Sequence, residues 1–196
     1  MIRLLLLMLF SVPTFAKTYI VEIADFSCKY CYEAEHYTHK IRIETQHQND
    51  EFVFAPVSFG ESSRAEELLY YATKEDPNLE KFVRDALFEL RQKQNINVSS
   101  MSELLDWLSI YYSNKPKKIQ SIKNELAKDF QNFNNIKAYI KALRLVKDYK
   151  IESTPTFLII DDLANISVVK KPEKMPVPEY IDHVLDMYKR ISKNED

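Results

Sequence analysis

The segment DFSCKYCYEAEH, Asp25 to His36, holds both cysteines of the chain, Cys28 and Cys31, with Lys29 and Tyr30 between them. A pair at this spacing has three uses: a structural disulfide, a metal clip, or thiol–disulfide exchange. A bridge here closes a loop of only four residues. In the chain-entropy model such a loop contributes about 2 kcal/mol, against about 4.7 kcal/mol for a 100-residue loop, so stability alone is a poor reason for it. A zinc set would need Cys28, Cys31, His36 and His39 to converge. On one continuous helix these four side chains fan around the axis and do not form a tetrahedron, so no metal is expected. The third use has a physical basis if Cys28 opens a helix. There the unpaired backbone N–H groups and the helix dipole favour a thiolate, and Lys29 adds a positive charge beside it. Cysteines so placed have pKa values of about 3.5–7.5, against about 8.5 free. Cys31, one turn further in, lies on the same side, close enough to close or attack a disulfide.

The flanking sequence must then supply a strand before Cys28 and a helix after it. KTYIVEIADF, Lys17 to Phe26, is rich in β-branched and aromatic residues and reads as a central strand buried on both faces. KYCYEAEHYTHKIRIETQ reads as one helix with Tyr30, Ala34, Tyr37 and Ile41 along one side. EFVFAPVSF is a second strand, which Pro56 assigns to an edge or a bulge. From Glu61 to about Phe133 the pattern is helical. Its signals are the SSRAEELLYYATKE start, Pro77 in the first turn of a helix, Ser100 and Ser102 as available caps, and Pro116 opening another helix. A long helix, NNIKAYIKALRLVKDYK, precedes a strand from Thr156. NISVVKK is its partner strand, and a terminal helix carries Tyr180, Val184, Met187 and Ile191 inward.

Composition and the N-terminus set the compartment. The chain has 196 residues, 45% hydrophobic and 29% charged, with a net charge of −2, which fits a globular protein and no nucleic-acid partner. MIRLLLLMLFSVPTFA has the basic start, apolar run and small-residue exit of a secretory signal, so residues 1–16 are expected to be cleaved and the mature protein to be periplasmic.

Strand, helix, strand, then helix, strand, strand, helix, with C-x-x-C at the first helix start, is the thioredoxin pattern. From Lys17 to Ser192 the chain resembles the DsbA family of periplasmic thiol–disulfide oxidoreductases, in VEIADFSCKYCYEAEH, PVSFG and STPTF. The resemblance implies an α/β protein: a thioredoxin-fold domain, residues 17–60 and 137–196, with an inserted all-helical domain, residues 61–136. It implies Cys28 and Cys31 as catalytic residues, with a redox-active disulfide in place of any cofactor, and Lys29 and Tyr30 as tuners of redox poise. It implies a cis Pro155 facing the cysteines, with Thr154 before it offering backbone groups to a substrate strand. Glu22, six residues before Cys28, matches a buried acid that exchanges a proton with the second cysteine through water. The sequence departs from the family on the second strand, where a lysine often found there is replaced by Phe54. Substrates would be unfolded exported proteins, and a membrane redox partner would recycle a monomeric enzyme. Tyr30 and Thr154 resemble the isomerase and reductase branches, whereas Lys29 favours an oxidant. A monomeric oxidase is the leading expectation, with isomerase or reductase activity and a peptide-binding chaperone as alternatives.

Overall fold

The computed structural model describes residues 17–59 and 64–193. The expected leader, and the Ser62–Ser63 start expected for a helix, lie outside these residues. Strand β1 (Tyr19–Ala24) leads through helices α1 (Lys29–Glu35) and α2 (His39–His47) to β2 (Glu51–Pro56). Five helices follow: α3 (Ala65–Thr73), α4 (Pro77–Gln92), α5 (Met101–Tyr111), α6 (Pro116–Asn132) and α7 (Asn134–Asp148). The chain returns to β3 (Thr156–Ile160) and β4 (Ile166–Lys170) and closes with α8 (Val177–Ser192). The sheet order is β2-β1-β3-β4, with β1 parallel to β2 and antiparallel to β3. Pro56 therefore ends an edge strand, where its missing N–H costs no ladder bond.

Alternation along the central strand divides the core in two. Val21 and Ile23, with Leu158 of β3, join a large cluster shared with the helical block. Ile20, Phe157 and Ile159 join a second cluster with Ala34 of α1, Ile41 of α2 and the apolar face of α8. On α8 that face is Tyr180, Ile181, Val184 and Tyr188; Met187 and Ile191, expected inward, are only partly covered. Local caps follow the sequence signals. Asp76 accepts from Asn78 N and Leu79 N at the start of α4, and Ser100 Oγ accepts from Glu103 N at the start of α5. Ser102 lies inside α5 and does not cap it.

The expected single helix after Cys28 is two helices. The amides of His36 and Tyr37 turn back on carbonyls three residues earlier (Tyr37 N to Ala34 O, 2.8 Å), and the chain re-enters a helix at His39. No glycine or proline marks this break; buried Thr38 sits at it. Tyr30, expected on the packed side, is 48% exposed.

Candidate active site

The loop between β1 and α1 is tied from within. Asp25 Oδ1 accepts from Ser27 N (2.7 Å) and Ser27 Oγ (2.6 Å), Oδ2 accepts from Phe59 N (3.2 Å), and the Asp25 carbonyl accepts from Cys28 N (2.9 Å). These bonds place Cys28 at the N-cap of α1 in extended geometry, with Cys31 N donating to its sulfur at 3.2 Å. Cys28 Sγ also donates to the Thr154 carbonyl at 3.3 Å, across the start of β3. The Thr154–Pro155 peptide is cis. Beneath this segment the buried Tyr180 hydroxyl donates to the Val169 carbonyl at 2.6 Å and lies 3.2 Å from the Pro155 carbonyl. Cys28, Cys31, Thr154 and Pro155 are thus brought together from opposite ends of the chain.

Both cysteines are free thiols, and their surroundings pull them apart. The adjacent Cys31 thiol, which donates to the Cys28 thiolate, brings Cys28 down to about 7 against the opposing effect of burial, with the Thr154 side chain assisting. Burial pushes Cys31 well above the ordinary thiol range, and its hydrogen bond to Cys28 adds to the rise. Half-buried Cys28 is therefore the accessible nucleophile and fully buried Cys31 the protonated partner. Lys29 is exposed beside the pair, and the Lys171 ammonium sits 4.5 Å from the centre of the Tyr30 ring.

Glu22 is fully buried on β1, and neither carboxylate oxygen has a hydrogen-bond partner among the described residues. Burial, with Glu35 adding to it, raises its pKa to about 8 against the opposing effects of Arg42 and Arg84. Sequence reasoning missed Glu35, Arg84, Asp25 and Tyr180. Arg84 Nε lies 3.0 Å from Glu35 Oε2, and its Nη1 donates to Glu80 Oε1 at 2.7 Å. The signal was present: Glu80, Arg84, Phe88 and Gln92 recur every four residues on α4, and a phenylalanine inside a polar stripe marks that stripe as buried. His36 and His39 fall on either side of the helix break, linked through His39 Nδ1 and the His36 carbonyl at 3.1 Å. Among the described residues no group of three or more His, Cys, Asp or Glu is gathered to hold a metal.

The thioredoxin family model matches residues 14–174, and the chain belongs to that family. No curated protein matches it significantly. Its architecture, a thioredoxin-like sheet with a helical insertion, is that of solved DsbA proteins. The oxidoreductase NmDsbA1 from N. meningitidis superimposes with a TM-score of 0.65 at 16% identity, over 91% of this chain and 86% of that one. Pseudomonas aeruginosa DsbA gives 0.59 at 22% identity, over 94% and 89%. A putative protein disulfide isomerase from Nitrosomonas europaea gives 0.60 at 12% identity, over 89% and 98%.

Proposed function

We propose that this protein is an exported, periplasmic thiol–disulfide oxidoreductase that introduces disulfides into unfolded exported proteins. The observation that carries the reading is the asymmetry of the two thiols: an accessible Cys28 held at about 7, beside a buried Cys31 held well above its ordinary value. In the oxidised form a substrate thiolate attacks Cys28 Sγ, the Cys28–Cys31 bond breaks, and Cys31 leaves with the electron pair and takes a proton. A second substrate thiolate then attacks the substrate sulfur of the mixed disulfide, and Cys28 leaves as thiolate. Two electrons have passed from the substrate dithiol to the protein. A disulfide-bearing partner at the membrane would reverse the change and restore the Cys28–Cys31 bond. The half-buried Thr154, beside Cys28 and before the buried Pro155, would hold the substrate backbone.

One observation favours a second reading. A Cys28 value of about 7 is a mild depression, and reactive cysteines of strong oxidants reach about 3.5. With Tyr30 before the second cysteine, this suits an isomerase or a weak oxidant. The test is the redox state of the pair in living cells, joined to oxidation of a reduced model peptide. An oxidase is found oxidised, converts the peptide, and loses all turnover in Cys28→Ser. Its potential in a glutathione titration falls between about −180 mV, that of protein disulfide isomerase, and about −120 mV, that of DsbA. A pair found reduced, with a potential near −270 mV, makes the protein a reductant. A Cys28→Ser protein that still rescues an exported-folding defect makes it a chaperone.

A further inference from the structure

Glu22 has aromatic neighbours on both adjoining strands: Phe54 is its register partner on β2 and Phe157 on β3. Neither offers it a charge. The positive groups that act on it, Arg42 more than Arg84, come from helices. Arg84 of α4 is 5% exposed, its guanidinium carbon lies 5.5 Å from the Phe54 ring centre, and it forms an ion pair with Glu35 and hydrogen-bonds Glu80. Arg42 of α2 approaches Glu35 Oε1 at 3.7 Å, lies 4.1 Å from the Phe52 ring centre, and is the more exposed of the two arginines. Two further contacts fix α4 against the redox loop. Gln92 Nε2 donates to the Phe26 carbonyl at 2.8 Å, and the Phe88 ring packs edge-on against Phe26 at 5.0 Å.

We infer that Arg84 is a positioning residue of the redox centre: through α4 the helical insertion supplies the counter-charge that keeps Glu22 and Glu35 able to share and exchange a proton with Cys31. The inference rests on the redox reading above. When Cys31 leaves as thiolate, Glu22 gives up its proton to that sulfur and is left anionic beside Glu35. That anion is stabilised only if a cation is already in place in the apolar interior. When a disulfide-bearing acceptor re-forms the Cys28–Cys31 bond, the Cys31 proton returns to Glu22. The groups facing Glu22 are Glu35 and Cys28 around α1, Arg42 on α2, Arg84 on α4 and Tyr180 on α8. Those facing Arg84 are Glu35, Glu80, Tyr70 and Glu22. A cleft of about 410 Å³, lined by Glu35, Arg42 and Arg84 among others, opens beside these side chains and gives the shared proton a way to solvent.

The test is a titration by NMR of the full mature chain, reduced, following the Glu22 side-chain carboxyl carbon and the Arg84 Nε nitrogen. In the unmodified protein Arg84 Nε is expected to show a step at the Glu22 midpoint, and that step is expected to vanish in Glu22→Gln. In Arg84→Met the Glu22 midpoint should rise by about one pH unit, a tenfold change in its protonation ratio, and Arg84→Lys should restore most of it. A flat Arg84 Nε signal through the Glu22 titration, or the same Glu22 midpoint in Arg84→Met and Arg84→Lys, overturns the assignment and leaves Arg84 a structural ion pair. If Arg84→Met does not fold, the unmodified protein and Glu22→Gln decide alone. These readings need no substrate. A coupled titration in a protein that exchanges no disulfide therefore rejects the redox reading and upholds the charge assignment. A normal exchange rate with uncoupled titrations does the reverse.

Discussion

Two pairs of glutamates lie in or at the edge of the interior among the described residues, and one helix serves both. Glu22 and Glu35 lie beneath the cysteines with Arg84 of α4; Glu66 and Glu67 lie on α3, where Arg91 of α4 comes within 3.0 Å of Glu66. Burial raises all four carboxyls, Glu22 and Glu66 to about 8 and Glu67 to about 7. The physical cause is the same in both places, so a raised acid is not by itself evidence of chemistry. The neighbours differ. Glu22 feels the Cys28 sulfur and two arginines, whereas Glu66 and Glu67 feel Asp25, which anchors the loop before Cys28. On the proposed reading the first pair has a sulfur with which to trade a proton; the second meets the like charge of Asp25 and the cation of Arg91.

The largest expected effect separates the two arginines. Arg84→Met and Arg91→Met each strip a buried carboxylate of its partner, and each should cost about 3–5 kcal/mol in urea unfolding. Only Arg84→Met should also change the pH dependence of mixed-disulfide resolution. If Arg91→Met alters that profile equally, the division between the pairs fails.

A smaller effect is the pH dependence of stability in the reduced protein. Glu22 and Glu66 have folded pKa values above 4.5, so their contribution is complete below about pH 4.5 and is lost as pH rises through about 8. Cys28 is depressed from 9.0 to about 7, so its contribution is present above pH 9 and is lost as pH falls through 7. Unfolding free energy should therefore fall between about pH 4.5 and 7. It should fall less steeply above that, where the Cys28 thiolate contributes in the opposite direction. Glu22→Gln and Glu66→Gln should each flatten the fall, by no more than about 1.4 kcal/mol for every tenfold difference in proton affinity between the folded and unfolded acid. Cys28→Ser should steepen the loss above pH 7 and leave the acidic limb alone. A Glu66→Gln protein with the unmodified pH curve would break the comparison.

The smallest effect is on the nucleophile itself. Alkylation of the reduced protein should label Cys28 with a midpoint near pH 7 and spare Cys31. Glu22→Gln should lower that midpoint only slightly, because Glu22, at about 8, is mostly neutral there and only its small anionic fraction opposes the thiolate. Glu66→Gln should leave it unchanged. Equal labelling of both sulfurs would sink the assignment of roles.

The sequence made Cys28, Cys31, Glu22 and the Thr154–Pro155 dipeptide legible for distinct reasons. The first two carry spacing, Glu22 interrupts an apolar strand, and the proline opens one. The partners of Glu22 were harder to see. Arg84 stands four residues from Glu80, the spacing of an ordinary exposed helix pair, and only the three-dimensional meeting of α4 with α1 makes that pair buried. The break between α1 and α2 was hidden because neither glycine nor proline marks it. Tyr30, placed on the packed side with Ala34 and Ile41, stands in solvent at the first turn of α1, whereas those two are buried. Phe54, an apolar residue where a cation was expected, left Glu22 without one partner in the sequence; the arginines that act on it come from α2 and α4.

The bond from Gln92 to the Phe26 carbonyl has a mechanical consequence. It lies two turns along α4 from Arg84, so any swing of the helical lobe away from the sheet must break it and pull the guanidinium off Glu35 in the same stroke. These contacts tie the helical lobe to the sheet at this seam. A docking partner that pries them apart would act on the sulfur chemistry from a distance, with α4 as the lever.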